Sequence, residues 1–155
     1  LVGSEMCIRD RYKVSLMDHS DLKEAYEIEK QTNPSPWSKE NFFSSYEVGH
    51  KSLVCRVNGI IIGFIIFSVI KKEIHLLNIA VHSEYQKKGA GSLLMDSMLK
   101  QANVMGVSKI YLEVRSKNKK AILFYKKYNF IKDAVRVNYY TGENSDDAVL
   151  MSLAI

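Results

Sequence analysis

The longest apolar stretch of this chain, Ile60–Ile70, is eleven residues long and follows directly on Asn58-Gly59. A helix that crosses a bilayer needs about 20 apolar residues, so this stretch suits a buried strand instead. Asn-Gly is the strongest short hairpin signal, because both central residues of that turn need positive φ. Ser52–Val57 on one side and Ile60–Ile70 on the other are therefore expected to pair antiparallel. A second reversal at Lys71–Glu73 leads into Ile74–Val81 and extends the run to three strands.

A short strand is expected ahead of these, over Tyr12–Met17. Asp18, His19 and Ser20 then offer polar caps to a first helix through Leu22, Ala25, Tyr26, Ile28 and Glu29, which Asn33-Pro34-Ser35-Pro36 breaks. Ser38 suits the N-cap of a short helix over Lys39–Tyr46. After Val81 the period changes to that of a helix over Gly89–Met105, with Leu93, Leu94, Met95, Met98, Leu99 and Ala102 on its apolar side and Gly106 as its stop. Lys109–Val114 reads as a strand, Asn118–Tyr128 as a helix, and Phe130–Tyr139 and Asp147–Ile155 as the last two strands.

At 155 residues the chain has room for one domain with a hydrophobic core and little for a second. Its net charge of +5 comes mostly from scattered lysines and reads as solvated faces. No basic segment is interleaved with aromatics as single-strand binders require, so direct nucleic-acid binding is not expected. Cys7 and Cys55 stand far apart with no histidine cluster nearby, which argues against a zinc site or a disulfide-stapled secreted fold. A cytoplasmic, membrane-free monomer or weak dimer is the expectation. Leu1–Arg11, LVGSEMCIRDR, has neither periodicity nor a secretory pattern and resembles translated adapter sequence. Residues 1–11 are expected to be a non-native extension, with the domain over 12–155.

Tyr85-Gln86-Lys87-Lys88-Gly89-Ala90-Gly91 lies between a strand and an amphipathic helix. Glycines there let the backbone approach a ligand and adopt φ values barred to other residues. The unpaired N–H groups and positive dipole end of the following helix favour an anion, and Lys87 and Lys88 add charge. Alone, this is also compatible with a glycine-rich helix start that binds nothing. It is neither a Walker A loop nor a dinucleotide fingerprint.

Its surroundings narrow the choice. Gln86–Gly91 fits the Q/R-x-x-G-x-G/A pattern, preceded by Asn78-Ile79-Ala80-Val81 and followed by Leu112-Glu113-Val114-Arg115, Asn118, Ala121–Tyr125 and Asn129-Phe130. With Pro36-Trp37-Ser38 and Asn138-Tyr139-Tyr140, the chain resembles the GNAT superfamily of N-acetyltransferases, and within it the RimI branch, over about Tyr12 to Ile155. The resemblance implies an α/β (α+β) fold with a mixed, mostly antiparallel sheet of six to seven strands, splayed at the cofactor cleft, and about four helices. It implies acetyl-coenzyme A as cosubstrate, no metal, and a protein N-terminus as acceptor, the N-terminal alanine of a small-subunit ribosomal protein. Acetyl transfer to a small-molecule amine or a lysine side chain is the alternative.

Residue by residue, the resemblance places backbone groups of Ile79, Ala80 and Val81 on the pantetheine arm and the turn Gln86, Lys87, Lys88, Gly89, Ala90, Gly91 and Ser92 on the pyrophosphate. Asn118 would contact the coenzyme, or cap its helix, or both. Glu113 is the candidate general base. It points away from Ile110, Leu112 and Val114, and a carboxylate near the middle of a sheet is expected to be buried with a raised pKa. A surface glutamate paired with Lys or Arg is the other reading. Tyr125 is the candidate general acid for the departing thiolate; it shares a helical face with Asn118 and Ala121, and core packing is its alternative. Trp37, Tyr139 and Tyr140 match segments that frame a peptide entrance, where relatives often carry two arginines before Asn-Tyr-Tyr and this chain has Arg136-Val137.

An α-amine has a pKa of about 7.7–8.0 and a lysine about 10.4, so deprotonation at neutral pH costs roughly 1 kcal/mol against 4 to 5. One modest base therefore suits an N-terminal amine. Cys55, on an early strand without a histidine partner, is not expected to act as a nucleophile. Direct attack by the amine on the thioester then needs only positioning and proton transfer.

Overall fold

The computed structural model describes residues 11–155. Residues 1–10, most of the expected extension, lie outside the described part. Seven strands, β1 (Lys13–Leu16), β2 (Lys51–Val57), β3 (Ile60–Ile70), β4 (Glu73–Val81), β5 (Lys109–Arg115), β6 (Ile131–Tyr140) and β7 (Asp146–Ala154), form one sheet in the order β1-β2-β3-β4-β5-β7-β6. The described helices are α1 (Leu22–Thr32), α2 (Lys39–Glu47), α3 (Ala90–Val104) and α4 (Lys119–Lys127), with short 3-10 turns at His19–Asp21 and Ser83–Tyr85. β4 and β5 run parallel and the other registered pairs antiparallel. A parallel pair needs a crossover, and α3 supplies it. No helix among the described residues is long and apolar enough to cross a membrane.

The chain divides into two compact units. The first takes the described residues up to Phe67 together with Asn78–Gln101. Asn58 (φ 50°) and Gly59 (φ 79°) make the expected turn between β2 and β3. The β2–β3 register shifts between Cys55 and Arg56, which inserts a bulge. Leu22, Ala25 and Ile28 of α1 pack with Phe42 of α2 and with Val54, Phe64 and Ile66 of the strands. Phe42 is the hub, with its ring 5.3 Å from Phe64 and 5.4 Å from Tyr26. Ser38 caps α2 as expected, its hydroxyl accepting from the Asn41 N–H.

The second unit comprises Ser68–Leu77 and Ala102–Ile155. Ile110, Leu112 and Val114 of β5 are buried, while Glu113 between them is exposed. β7 pairs with β5 along its whole length and carries β6 on its other side. α3 ends where Gly106 was expected to stop it: the N–H of Val107 donates to Ala102 and that of Gly106 to Asn103. The same double bond closes α4. Phe130 donates to the Tyr125 carbonyl and Asn129, at φ 70°, to that of Lys126.

Gly63 of β3 has a steric reason to lack a side chain. A Cβ there would lie 2.9 Å from the Ala80 carbonyl oxygen and 3.2 Å from Leu94 Cδ1. The nearest obstacle is backbone, so Gly63→Ala is predicted to destabilise the fold by about 1–3 kcal/mol, read as a lower urea midpoint at unchanged slope.

Candidate active site

In the first unit, β4 leads into the turn before α3. The parallel register of β4 with β5 covers Glu73–Leu76 against Lys109–Leu112, so Ile79, Ala80 and Val81 lie beyond its last pair. On the β3 side, the His82 N–H reaches the Ile62 carbonyl at 2.7 Å. The Gln86 side chain turns back to donate to the Val81 carbonyl at 3.0 Å, pinning the turn to the end of the strand. Lys87 (φ 63°) and Gly89 (φ 94°) take the left-handed conformations that curl the backbone, while Gly91 already lies within α3. The expectation that both glycines supply special φ is therefore corrected: Lys87 takes one of those places.

In the first turn of α3 the Leu93 N–H closes on the Gly89 carbonyl at 3.0 Å. The amides of Ala90 and Gly91 come before it at the positive end of a 15-residue helix. Lys87 and Lys88 are exposed, and the Lys88 ammonium lies 6.0 Å from the centre of the Tyr85 ring. This donor set suits a diphosphate: backbone amides, a helix N-terminus and two cations, with no carboxylate in the turn itself.

Trp37 also belongs to the first unit. It is half-buried against Phe42, with ring centres 6.2 Å apart. Both ends of its backbone are held from α1. The Tyr26 hydroxyl donates to its carbonyl at 2.9 Å, and its N–H donates to the Glu29 carboxylate at 2.9 Å. Glu29 is wholly buried, and nothing in the sequence reading gave it a role. The available signal was its position seven residues after Leu22, on the stripe that Leu22, Ala25 and Ile28 bury.

The second unit carries the two proposed proton-transfer residues. Glu113 points away from the buried face of β5, as expected, but its side chain is 39% exposed and lies 3.9 Å from the Arg136 guanidinium. The burial expected for it is absent, and the geometry is that of the other reading, a surface glutamate beside an arginine. The Tyr139 hydroxyl is hydrogen-bonded to Glu113. This bond and the carboxylate charge hold the Tyr139 phenol above its ordinary pKa, while Arg136 pulls the other way.

Tyr125 is buried, with 7% of its surface exposed. Burial, and then the charge of Tyr140, push its pKa up. It packs against Phe124 and Phe130, each ring 5.7 Å away, so the core reading of this residue holds alongside any chemical one. Tyr140 is half-buried under the Arg115 guanidinium, 4.1 Å from its ring centre, and burial and Glu113 raise its pKa while Arg115 lowers it. Tyr139 and Tyr140 meet edge-on at 5.1 Å, where β6 shifts register between Arg136 and Tyr140. Asn118 caps α4 by accepting from the Ala121 N–H at 3.2 Å. Asp146 accepts from the Lys117 and Asp147 N–H groups, and Asp147 from that of Asn138.

The acetyltransferase (GNAT) family matches residues 22–130. The chain belongs to the GNAT family. The [ribosomal protein bS18]-alanine N-acetyltransferase of Escherichia coli (strain K12) is 34% identical over 143 residues, covering 92% of this chain and 97% of that one. The crystal structure of the E. coli ribosomal-protein-S18-alanine N-acetyltransferase superposes with a TM-score of 0.87 at 33% identity, covering 93% and 94% of the two chains. Ard1 from Thermoplasma volcanium gives 0.86 at 28%, covering 94% and 98%. This GNAT protein is thus an acetyl-coenzyme A-dependent N-acetyltransferase, with the seven-stranded, mostly antiparallel sheet that the resemblance implied.

The Tyr139–Glu113 bond makes a prediction that needs no substrate. Glu113→Gln removes the charge that disfavours the phenolate, so Tyr139 should titrate at lower pH than in the parent protein. Arg136→Ala should move it the opposite way. Ring resonances of labelled tyrosine followed through a pH titration report both.

Proposed function

We propose that this acetyltransferase modifies the N-terminal α-amine of a protein, specifically the N-terminal alanine of a small-subunit ribosomal protein. The observation that carries the reading is the near-full-length similarity to the E. coli enzyme whose name specifies that alanine. The acceptor side is consistent with it. Trp37 has a backbone fixed at both ends, and Tyr139 and Tyr140 add two aromatic side chains at a bulged strand end.

The cosubstrate supplies an acetyl thioester. In this reading the backbone of Ile79, Ala80 and Val81 receives its pantetheine arm as an added strand would, and the turn from Gln86 to Ser92 holds the pyrophosphate. Asn118, while capping α4, also contacts the coenzyme. Glu113 takes the proton from the attacking amine, directly or through a water, and its exposure leaves it open to both. Tyr125 returns a proton to the departing sulfur. The N–C bond forms as the C–S bond breaks, and no enzyme nucleophile takes part.

Glu113→Gln and Tyr125→Phe are each predicted to lower kcat by about 10²–10⁴ with coenzyme A affinity retained. Parent kcat in both would remove these roles. In a panel of peptides with free or blocked N-termini, turnover should require the free α-amine; turnover on blocked peptides that carry only lysine would overturn the proposed acceptor. Because burial raises the pKa of Tyr125, its hydroxyl keeps its proton above the ordinary phenol range of about 10. The kcat profile should therefore rise with pH as the amine loses its proton and show no falling limb below pH of about 10.

A further inference from the structure

Glu29, near the end of α1, has 0% of its surface exposed. Its Oε2 accepts from the Trp37 N–H at 2.9 Å and the Asn33 side-chain amide at 3.0 Å, and its Oε1 from Asn78 Nδ2 at 3.1 Å. Two residues on, Gln31 meets the residues just past the end of β4, with Nε2 3.4 Å from His82 Nε2 and Oε1 accepting from the Ser83 N–H at 3.3 Å. A carboxylate taken out of water is costly, and a leucine would fill the same volume without that cost. What the carboxylate adds is two oxygens that hold three neutral donors at once. Those donors come from the end of α1, from the Trp37 segment and from the first residue of the stretch 78–81.

We propose that Glu29 is the positioning residue of this enzyme, fixing the acceptor-side segment at Trp37 and the coenzyme-side strand from Asn78 in one arrangement, so that binding at either is felt at the other. The inference rests on the reading of Trp37 as part of the acceptor entrance and of Ile79–Val81 as the coenzyme strand. Glu29 touches neither substrate in it. It acts through two backbones, and the coupling is reciprocal because it is a property of both binding equilibria.

Trp37 is the only tryptophan of the chain, so intrinsic fluorescence reports this segment alone. Asn78→Asp replaces the donor facing Glu29 with a second carboxylate. Adding Glu29→Gln restores a donor–acceptor pair, since the glutamine amide donates to the introduced carboxylate while its oxygen still serves Asn33 and Trp37. The full-length parent, Asn78→Asp and the double variant are compared in three ways. These are Trp37 fluorescence during coenzyme A titration, with binding followed separately by calorimetry; KM and kcat with a free-N-terminus peptide; and Tm.

Coenzyme A should shift Trp37 emission in the parent and not in Asn78→Asp at matched saturation. The acceptor KM of Asn78→Asp should rise by about tenfold, more than kcat falls, as expected for one broken buried hydrogen bond. The double variant should recover both. The proposal is overturned if Asn78→Asp only lowers Tm, if it changes the coenzyme KM alone, or if the double variant is no better than the single one. Should Asn78→Asp fail to fold, Glu29→Gln alone serves, with a smaller rise in acceptor KM expected and an unchanged KM decisive against. The fluorescence response requires no acceptor, so it stands or falls separately from the identity of the amine.

Discussion

At Gly63 the β3 backbone comes so near the Ala80 carbonyl that no side chain fits between them, and the strand end and turn proposed to receive coenzyme A follow from that approach. It lets the end of β4 lie close against β3, where the His82 N–H closes on Ile62. The strand end fixed in this way gives Gln86 a carbonyl to bind, and Gln86 in turn holds the two left-handed residues that aim α3. Leu94, the next atom a methyl group would meet, belongs to the second turn of that helix. One missing Cβ therefore ties strand, turn and helix start together, and Lys87 adds a left-handed residue as well as charge to the turn.

The second unit fixes its residues by a different device. Tyr125 is not placed by helix propensity alone. The bond from Phe130 to the Tyr125 carbonyl closes α4 and brings the Phe130 ring back over the tyrosine. Asn129 makes this closure by adopting positive φ, a conformation asparagine tolerates better than most residues. At the other end, Asn118 spends its side-chain oxygen on Ala121 and leaves its amide nitrogen for other partners. Capping and the coenzyme contact proposed for Asn118 would then use different atoms of one side chain.

How much of this was legible in the sequence follows from the range of each interaction. The Asn58-Gly59 hairpin, the stop at Gly106 and the caps at Ser38 and Asn118 are local, and each appears where the residue types require it. Glu113 was legible in direction, since β5 alternates strictly, but not in exposure, which depends on what packs over that face of the sheet. The Tyr139–Glu113 bond joins residues of β5 and β6, which are not neighbours in the sheet, and no short pattern announces it. Glu29 was hardest to read. A glutamate on a helix is ordinary, and its burial depends on donors 4, 8 and 49 residues away. Its place on the apolar stripe of α1 was the only trace.

The raised pKa of Tyr125 at first argues against the role proposed for it, because a weaker acid is a poorer donor. A free thiol titrates near 8.5, so a proton moving from a buried phenol to a solvated thiolate would go uphill. The sulfur in question would not be solvated, however. Burial disfavours every anion it encloses, so in the proposed arrangement the surroundings that raise Tyr125 would raise a departing thiolate beside it as well. What matters is the difference between two desolvated groups, which is much smaller than the shift of either. Such a pair transfers its proton late, as negative charge builds on sulfur and the C–S bond gives way. Until then the hydroxyl donates a hydrogen bond without committing its proton. Glu113, with 39% of its side chain exposed, is open to water, so in its proposed role it would pass the proton of the amine on to solvent. A dry acid and a wet base thus suit a transfer in which protons enter and leave at different moments.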